Sequence, residues 1–206
     1  MAKPYLTLTS VFEHETEVRR SRFVCAVAPA GSVEEAAAFI AGRRASHAGA
    51  THNCSAYVIG EWVQKGDDDG EPGGTAGTPM VQALVGRGFA DVVAVVTRYF
   101  GGVLLGAGGL VRAYGGAVTE ALDRVEPVRM VPARVIRVSV AHDQAGRVES
   151  DLRGSRFSVR EVVYGADVRF EVAVGVDEVE GFTDWVAGLT AGRAKVWVEG
   201  DIHVLS

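Results

Sequence analysis

Glycine residues are concentrated between positions 67 and 114, and this stretch constrains the fold more than any other part of the chain. It starts with an acidic, glycine-rich loop at 67–79 and continues as the apolar strand 91–97. It ends in a second glycine-rich segment, 98–114, which carries arginines. Glycine lacks a Cβ atom, so backbone built from it can approach other groups closely. Two such segments around one strand therefore predict a surface shaped to receive another group.

The charge of the chain is local rather than global. The 206 residues carry a net charge of −5, which argues against a protein that binds the nucleic-acid phosphate backbone through its overall charge. The first 126 residues hold 11 basic and 14 acidic side chains. Four of those acids lie in the acidic loop, so the rest of this part has a net charge of 11 − 10 = +1.

The composition, 48% apolar and 23% charged, is typical of a globular protein. The N-terminus has no apolar segment behind a basic start, and no run approaches 18 apolar residues. We therefore expect a soluble, cytoplasmic protein without a membrane partner. Its two cysteines, Cys25 and Cys54, are too few for a disulfide framework and are expected to be buried free thiols.

The first part of the sequence predicts strands and one capped helix. Residues 4–29 favour strands because they are rich in β-branched and aromatic residues and alternate with charged ones. Ser32 is a good N-cap, and Glu35 three residues later completes a capping box. The helix that starts there should end near His47, and a strand is expected at 55–59.

The glycine-rich stretch itself predicts a loop, a short helix and a buried strand. The loop occupies 65–78, and a helix follows at 80–85 with Thr78 as its N-cap and Pro79 at its first position. The next strand, 91–98, is almost entirely apolar, which is typical of a central strand covered on both faces. A second helix starts near Gly108, where apolar residues recur at helical spacing up to Leu122.

The last third of the chain predicts a separate domain. Residues 127–132 are expected to be a linker, and the order beyond them is βαββαβ, the ferredoxin-like split βαβ unit. The predicted elements are strand 134–141, helix 143–152 capped by His142 or Asp143, strands 157–164 and 168–174, helix 178–189 capped by Asp177, and strand 194–204. The prediction is thus an α+β protein with domains at 1–126 and 132–206.

Several segments of the first domain match the signature of the IMPACT/YigZ family. They are Ser21-Arg22-Phe23, residues 51–57 (Thr-His-Asn-Cys-Ser-Ala-Tyr), residues 68–79, the Arg-Tyr-Phe-Gly-Gly run at 98–102, and residues 105–114. Together they lie within about residues 20–125 and resemble that family closely. The βαββαβ part is similar to the C-terminal domain of bacterial, YigZ-type members.

The resemblance implies both a fold and a direction for function. It implies that the first domain is similar to the second domain of a small-subunit ribosomal protein, a sheet with βαβ units, and to domain IV of elongation factor G. The second domain would resemble the ferredoxin-like domain V of that factor. Eukaryotic members regulate translation initiation, and a nucleic-acid or ribosome-associated role is proposed for bacterial ones.

The acidic loop is the first candidate site. Its carboxylates, Asp67, Asp68, Asp69 and Glu71, could place two oxygens on a hard cation such as Mg²⁺ or Ca²⁺. The spacing does not match an EF-hand. A solvated turn and a surface for a partner protein are the alternatives. No cofactor is required, although a divalent cation is possible.

The second candidate is an anion or nucleic-acid site at the arginine-rich glycine segment. A strand ending in arginine, a glycine-rich turn and a helix N-terminus expose N–H groups at a positive helix end, which is how many proteins bind phosphate. The pattern lacks the Gly-Lys-Ser/Thr of a P-loop. The candidate residues are Arg22, Arg98, Gly101, Gly102, Gly106, Gly108, Gly109, Arg112 and Tyr114.

A structural role for the same segment stays open. The glycines would then allow the helix to pack closely on the sheet, with Arg112 paired to the acidic loop. An internal salt bridge from Arg98 or Arg112 to Asp68, Asp69 or Glu71 would join the two glycine-rich turns into one unit. Aromatic side chains at 99, 100 and 114 either stack bases or pack in the core.

Catalytic and transition-metal sites have little support. His47, His52 and Cys54 match no zinc spacing, and no Gly-x-Ser-x-Gly elbow is present. We therefore expect a cytoplasmic, non-enzymatic protein associated with translation that binds RNA or the ribosome through the arginine and glycine residues. The alternatives are an enzyme that acts on a small phosphorylated substrate with a cation at the acidic loop, and a protein-interaction module.

Overall fold

The computed structural model describes residues 2–206, which divide into two units. The N-terminal unit comprises residues 5–129, and the C-terminal unit comprises residues 2–4 and 130–206. Both mix helices and strands, so the α+β prediction is confirmed. Within residues 2–206, no helix is long and apolar enough to cross a membrane.

The N-terminal unit contains six strands and three helices up to residue 122. In chain order they are β1 (Tyr5–Thr7), β2 (Phe12–Val18), β3 (Ser21–Pro29), α1 (Val33–Ser46), β4 (His52–Ile59), β5 (Val63–Asp67), α2 (Gly77–Gly86), β6 (Val92–Tyr99) and α3 (Ala107–Leu122).

The main sheet of this unit is built around β6, as its apolar sequence predicts. The strand order is β2-β3-β6-β4-β5, and β6 is antiparallel to both neighbours. Residues 92–98 of β6 are all buried. One face packs on α2 and α3 in the larger core, and the other packs on α1 through a small cluster that includes Ala36, Tyr57 and Val93. Both faces are covered, so this prediction is confirmed.

The predicted helix cap at Ser32 is also confirmed. The Glu35 N–H donates to Ser32 Oγ over 3.1 Å. The Glu35 carboxylate accepts from the N–H of Gly31 rather than from that of Ser32, at 2.8 Å. The helix ends at His47, whose N–H donates to the Arg43 carbonyl.

Two predictions in the acidic stretch are wrong. Residues 63–67 form strand β5, which pairs with β4, whereas a loop was predicted from residue 65. Helix α2 starts at Gly77, with Ala76 as N-cap, so Thr78 lies inside the helix and is exposed. The prediction of Thr78 as N-cap fails because the side chain of Asp68 accepts hydrogen bonds from the N–H groups at this helix start.

The C-terminal unit has the predicted βαββαβ order. Its elements are β7 (Val128–Val140), α4 (His142–Arg153), β8 (Ser158–Tyr164), β9 (Val168–Gly175), a 3₁₀ turn (Val176–Glu178), α5 (Val179–Thr190) and β10 (Lys195–Leu205). These four strands pair in the order β10-β7-β9-β8, and every pair is antiparallel. Helices α4 and α5 pack on one face of the sheet around Phe170, Phe182 and Leu152.

The boundaries in this region differ from the prediction in two ways. Strand β7 already starts at Val128, so the predicted linker at 127–132 is mostly strand, and Pro132 pairs with His203. Proline keeps its carbonyl and is tolerated where its missing N–H is not needed. The N-caps are Ala141 and Glu178 rather than His142, Asp143 or Asp177. Asp143 lies in the first turn of α4, where a carboxylate favours the helix dipole without capping it.

Candidate functional site

A buried ion pair joins the two glycine-rich segments. Arg98 Nη1 donates to Glu71 Oε1 over 2.7 Å, and Tyr114 Oη donates to the same oxygen over 2.7 Å. Arg98 is 5% exposed and Glu71 8%, while Tyr114 is fully buried. The predicted salt bridge between the arginine segment and the acidic loop is therefore confirmed for the Arg98–Glu71 pair.

Three elements position this network. Arg98 extends from β6, Tyr114 from α3, and Glu71 from the loop after β5. Arg98 Nη2 also donates to Ser21 Oγ at 3.3 Å. Burial, with Cys54 and Glu71 close by, raises the pKa of Tyr114, so its hydroxyl remains a neutral donor. Arg98 and Tyr114 were predicted as anion-binding residues, and the structure gives both of them internal partners.

Asp68 provides the cap that the sequence prediction assigned to Thr78. Its carboxylate accepts from the N–H groups of Gly74 at 2.7 Å, Ala76 at 3.0 Å and Gly77 at 2.8 Å. Burial works to raise the pKa of this carboxyl, but the three N–H donors outweigh it and hold the pKa below its usual range. Asp68 lies eight residues before the N-cap, outside the interval that a local cap pattern covers.

The remaining acidic-loop carboxylates also have protein partners. Arg44 Nη2 lies 3.3 Å from Asp67 Oδ2 and 3.2 Å from Asp69 Oδ1. Asp69 Oδ2 accepts from the N–H of Asn53 over 2.6 Å. Nothing in the sequence marks Arg44 as the partner of these carboxylates, and the structure places it in the last turn of α1. Across residues 2–206, no group of three or more His, Cys, Asp or Glu side chains is arranged to hold a metal ion.

The histidines and Cys54 contact different partners. His52 Nδ1 lies 2.7 Å from the Asp69 carbonyl oxygen, and its Nε2 lies 3.9 Å from Glu71 Oε2. His47 Nδ1 instead lies 2.9 Å from Tyr99 Oη. The Cys54 thiol donates to the Asp68 carbonyl, and burial raises the pKa of the thiol to about 12. The buried free thiols predicted at Cys25 and Cys54 are confirmed.

The turn after β6 is held against the β2–β3 hairpin. Gly101 donates its N–H to Ser21 Oγ at 3.2 Å, and a Cβ on Gly101 would lie 2.0 Å from the Arg20 carbonyl oxygen. Only glycine fits this approach. Gly102 follows with a φ of +81°. Beside the turn, the side chain of Arg22 is half exposed and pairs with Glu15 over 2.7 Å.

Phe100 is the exposed aromatic residue of this turn. It is 46% exposed, and its N–H donates to Thr51 Oγ1. The Arg98 guanidinium lies 5.4 Å from its ring centroid and supports the ring from the protein side. Of the three aromatic candidates, Tyr114 is core, Tyr99 is partly buried, and Phe100 is available for stacking.

The N-terminus of α3 opens towards solvent beside Phe100. Its N-cap is Gly106, with φ +73° and ψ 164°, a conformation that essentially only glycine adopts. Across residues 2–206, no side chain caps this helix, and its first turn contains Gly108 and Gly109 but no acidic residue. A cavity of about 390 Å³ lies at this end, lined by residues that include His52, Arg98, Phe100, Leu104, Gly106 and Ala107.

Arg112 lies on the exposed side of the first turns of α3. Its Nη1 lies beside Gly108. Among residues 2–206, no carboxylate lies within 4.0 Å of its guanidinium, so the predicted alternative of a pair with the acidic loop is wrong for Arg112. The loop carboxylates have other partners: Arg98 holds Glu71, Arg44 holds Asp67 and Asp69, and backbone N–H groups hold Asp68. Arg112 is thus an exposed cation at a positive helix end.

The C-terminal unit has a larger cavity, of about 510 Å³, that holds none of the predicted site residues. Its lining is mostly apolar and includes Val131, Pro132 and Ile202. The ion pair between Arg134 and Asp201, at 2.7 Å, lies at this cavity. The chemistry predicted from the sequence therefore lies within the N-terminal unit.

Comparison with known proteins identifies the family. The Impact N-terminal domain matches residues 19–122, which contain every predicted site residue. A domain of unknown function, DUF1949, matches residues 138–193. The chain belongs to the IMPACT family.

Relatives and a solved structure are similar to this chain along most of its length. IMPACT family member YvyE of Bacillus subtilis (strain 168) is 43% identical over 207 residues, covering 100% of this chain and 95% of the relative. IMPACT family member YigZ of Escherichia coli (strain K12) is 39% identical over 184 residues, covering 87% and 90%. A crystal structure described as that of a hypothetical protein superposes with a TM-score of 0.77 at 34% identity, covering 97% and 99%. The chain is thus similar to these proteins along nearly its whole length.

Proposed function

We propose that this IMPACT family protein is a non-enzymatic, cytoplasmic factor in translation that binds RNA, free or in the ribosome. Binding would use what we call the Phe100 face, formed by Phe100, Leu104, residues 106–109 and Arg112. The observation that carries this proposal is the exposed Phe100 ring beside an uncapped helix N-terminus and an exposed arginine.

The physical chemistry of this face suits a phosphodiester chain. The first N–H groups of α3 have no acceptor within the helix, and the helix dipole makes this end positive. An anion placed there gains both hydrogen bonds and a favourable field. Arg112 adds a full positive charge that no carboxylate in residues 2–206 neutralises.

Aromatic and apolar groups complete the face. Phe100 is 46% exposed and Leu104 is 80% exposed, and both line the cavity beside α3, so they place apolar surface at this face. An exposed ring beside positive charge is typical of proteins that stack bases. The family's resemblance to a ribosomal-protein domain supports the same assignment.

Within this proposal, Arg98 and Tyr114 support the face rather than contact RNA. Arg98 lies behind Phe100, and its charge is compensated by Glu71. Arg22 lies at the edge of the same region, with its charge shared with Glu15. Contact with phosphate thus falls mainly to Arg112 and to the backbone at 106–109.

A salt titration tests the proposal. We expect the purified protein to bind a fluorescent single-stranded RNA with an affinity that falls as salt rises, since each neutralised phosphate contributes a slope of about 0.7. Arg112→Gln should reduce the slope by about that amount. Phe100→Leu should weaken binding by about tenfold while leaving the slope unchanged.

The control is Arg147→Gln, which removes an exposed arginine from α4 in the C-terminal unit. It should bind as the wild type does. No binding at low salt, or an equal loss in the Arg147 variant, would contradict the proposal. Sedimentation with purified ribosomal subunits at low and high salt tests the ribosomal part separately.

A second candidate is an enzyme that acts on a small phosphorylated molecule, and the position of His52 favours it. The carbonyl of Asp69 holds Nδ1, and Nε2 faces Glu71 at the cavity beside α3. A histidine oriented in this way can transfer protons. Calorimetric titration with inorganic phosphate and adenosine monophosphate tests it, and His52→Gln should leave RNA affinity unchanged while lowering any turnover.

A further inference from the structure

The hairpin turn between β2 and β3 has two arginines in a backbone conformation that disfavours them. Arg19 has a φ of +48° and Arg20 a φ of +67°. Residues other than glycine rarely adopt positive φ, and two-residue hairpin turns of this kind favour Asn-Gly or Asp-Gly. Two consecutive arginines therefore occupy positions for which other residues fit the backbone better.

The side chains of this turn have no internal role that explains them. Both arginines are exposed. Within residues 2–206, neither takes part in a side-chain hydrogen bond, an ion pair or a contact with an aromatic ring. Arg22, two residues further on, is different, because Glu15 holds its guanidinium in a two-pronged bond. Glu17, the remaining acid at this end of β2, lies opposite Arg22 in the strand pairing.

The turn is in direct contact with the Phe100 face. A Cβ on Gly101 would lie 2.0 Å from the Arg20 carbonyl oxygen, so the backbones of the two turns touch. Ser21, the residue after the arginines, accepts from both the Gly101 N–H and Arg98 Nη2. The exposed Phe100 is thus contiguous with the arginine turn through Gly101 and with the α3 N-terminus through the cavity.

Backbone strain at residues whose side chains have no internal partner points to a functional constraint. Here the constraint is on the side chains, because asparagine and glycine would satisfy the backbone but supply no charge. A guanidinium offers a planar set of N–H donors suited to phosphate. The turn presents two of them next to an exposed ring.

We infer that the turn formed by Arg19 and Arg20 is a second phosphate contact, and that the ligand of the Phe100 face is single-stranded RNA. An unpaired base would stack on Phe100, with neighbouring phosphates on the arginine turn and on the α3 N-terminus. A duplex keeps its bases paired and has none to offer the ring. This inference rests on the proposed function and adds the class of RNA and the second contact.

The test is the double substitution Arg19→Asn with Arg20→Gly. It removes both charges and installs residues that the turn conformation favours. Affinity for a fluorescent 12-nucleotide oligouridine should fall by about tenfold at moderate salt, and the salt slope should fall by about 1.4, or two single-strand contacts. The thermal unfolding midpoint should stay equal to that of the wild type or rise, because the backbone strain is relieved.

The matched control is Arg147→Gln with Arg160→Gln, which removes the same charge from exposed positions of the C-terminal unit. It should bind oligouridine as the wild type does. A 12-base-pair RNA duplex should bind the wild-type protein more weakly than the single strand. Equal or tighter binding of the duplex would overturn the assignment to single strands.

The outcomes separate this inference from the proposed function. If the wild-type protein does not bind RNA at all, both are overturned. If it binds RNA and the arginine-turn variant binds equally well, only the inference is overturned. A fall in the unfolding midpoint together with weaker binding would also overturn it, because the arginines would then be holding the turn in place.

Discussion

Two arginine–carboxylate pairs of equal length lie in very different surroundings. Arg98 in the N-terminal unit and Arg134 in the C-terminal unit each place a guanidinium nitrogen 2.7 Å from a carboxylate oxygen. The side chains of the Arg98–Glu71 pair are 6% and 3% exposed, while those of the Arg134–Asp201 pair are 41% and 65% exposed. Both arginines extend from strands.

The difference extends to the whole interior of each unit. Eight of the ten buried polar or charged residues between 2 and 206 lie in the N-terminal unit, and they include the two charged ones, Glu71 and Arg98. The C-terminal unit has Ser139 and Thr190. A buried ion pair is expensive to desolvate and is often replaceable by apolar residues without loss of stability. Among residues 2–206 the buried charged residues are thus confined to the N-terminal unit, so removal of an arginine should affect the two units differently.

The largest loss in the free energy of unfolding should come from removing one partner of the buried pair. Arg98→Met leaves the Glu71 carboxylate buried without its cation, which should lower the free energy of unfolding by about 3–5 kcal/mol. Urea unfolding of the variant and the wild type measures it. Adding Glu71→Gln to Arg98→Met should recover part of the loss, and a double variant no more stable than the single one would contradict this account.

An intermediate effect is expected at Asp68. Asp68→Ala removes the acceptor for three backbone N–H groups and should cost about 1–2 kcal/mol at neutral pH. The pKa of Asp68 is lower in the folded protein than its ordinary value of 3.8, so its stabilisation is present above about pH 4 and is lost as the pH falls.

The stability difference between the wild type and the Asp68→Ala variant should therefore shrink as the pH is lowered below 4. Urea unfolding at several pH values measures it. Thr78→Ala is the control, because Thr78 is exposed inside α2 and should have little effect. A larger loss in the free energy of unfolding for Thr78→Ala than for Asp68→Ala would mean that Thr78 caps the helix, as predicted from the sequence.

The smallest effect should come from the exposed pair. Arg134→Met should change the free energy of unfolding by about 0–1 kcal/mol, since solvent screens the exposed charges. Urea unfolding under the conditions used for Arg98→Met gives a direct comparison. A cost equal to that of Arg98→Met would mean that burial does not distinguish the two pairs.

The elements that were predicted well depend on local signals. The cap at Ser32 involves residues three apart, and the buried strand β6 is a continuous apolar run. The predicted contact between Arg98 and the acidic loop is confirmed because a buried arginine requires an opposite charge, and the loop held four of them.

The elements that were missed depend on contacts distant in sequence. Asp68 caps α2 from eight residues before its N-cap, and the loop prediction at 65–78 overlooked the pairing of β5 with β4. Arg44 reaches Asp67 and Asp69 across more than 20 residues. Arg19 and Arg20 carry no sequence signal of a hairpin turn, and the positive φ of each residue became visible only in three dimensions.

The two buried cysteines allow opening of the N-terminal unit to be followed by alkylation of their thiols. Cys25 and Cys54 both pair with Val96 of β6 from opposite sides, and burial raises the pKa of each thiol to about 12. Protonated, enclosed thiols react slowly with alkylating reagents. Because the C-terminal unit contains no cysteine, the rate of alkylation in the native protein reports how often the sheet around β6 opens, separately from the rest of the chain.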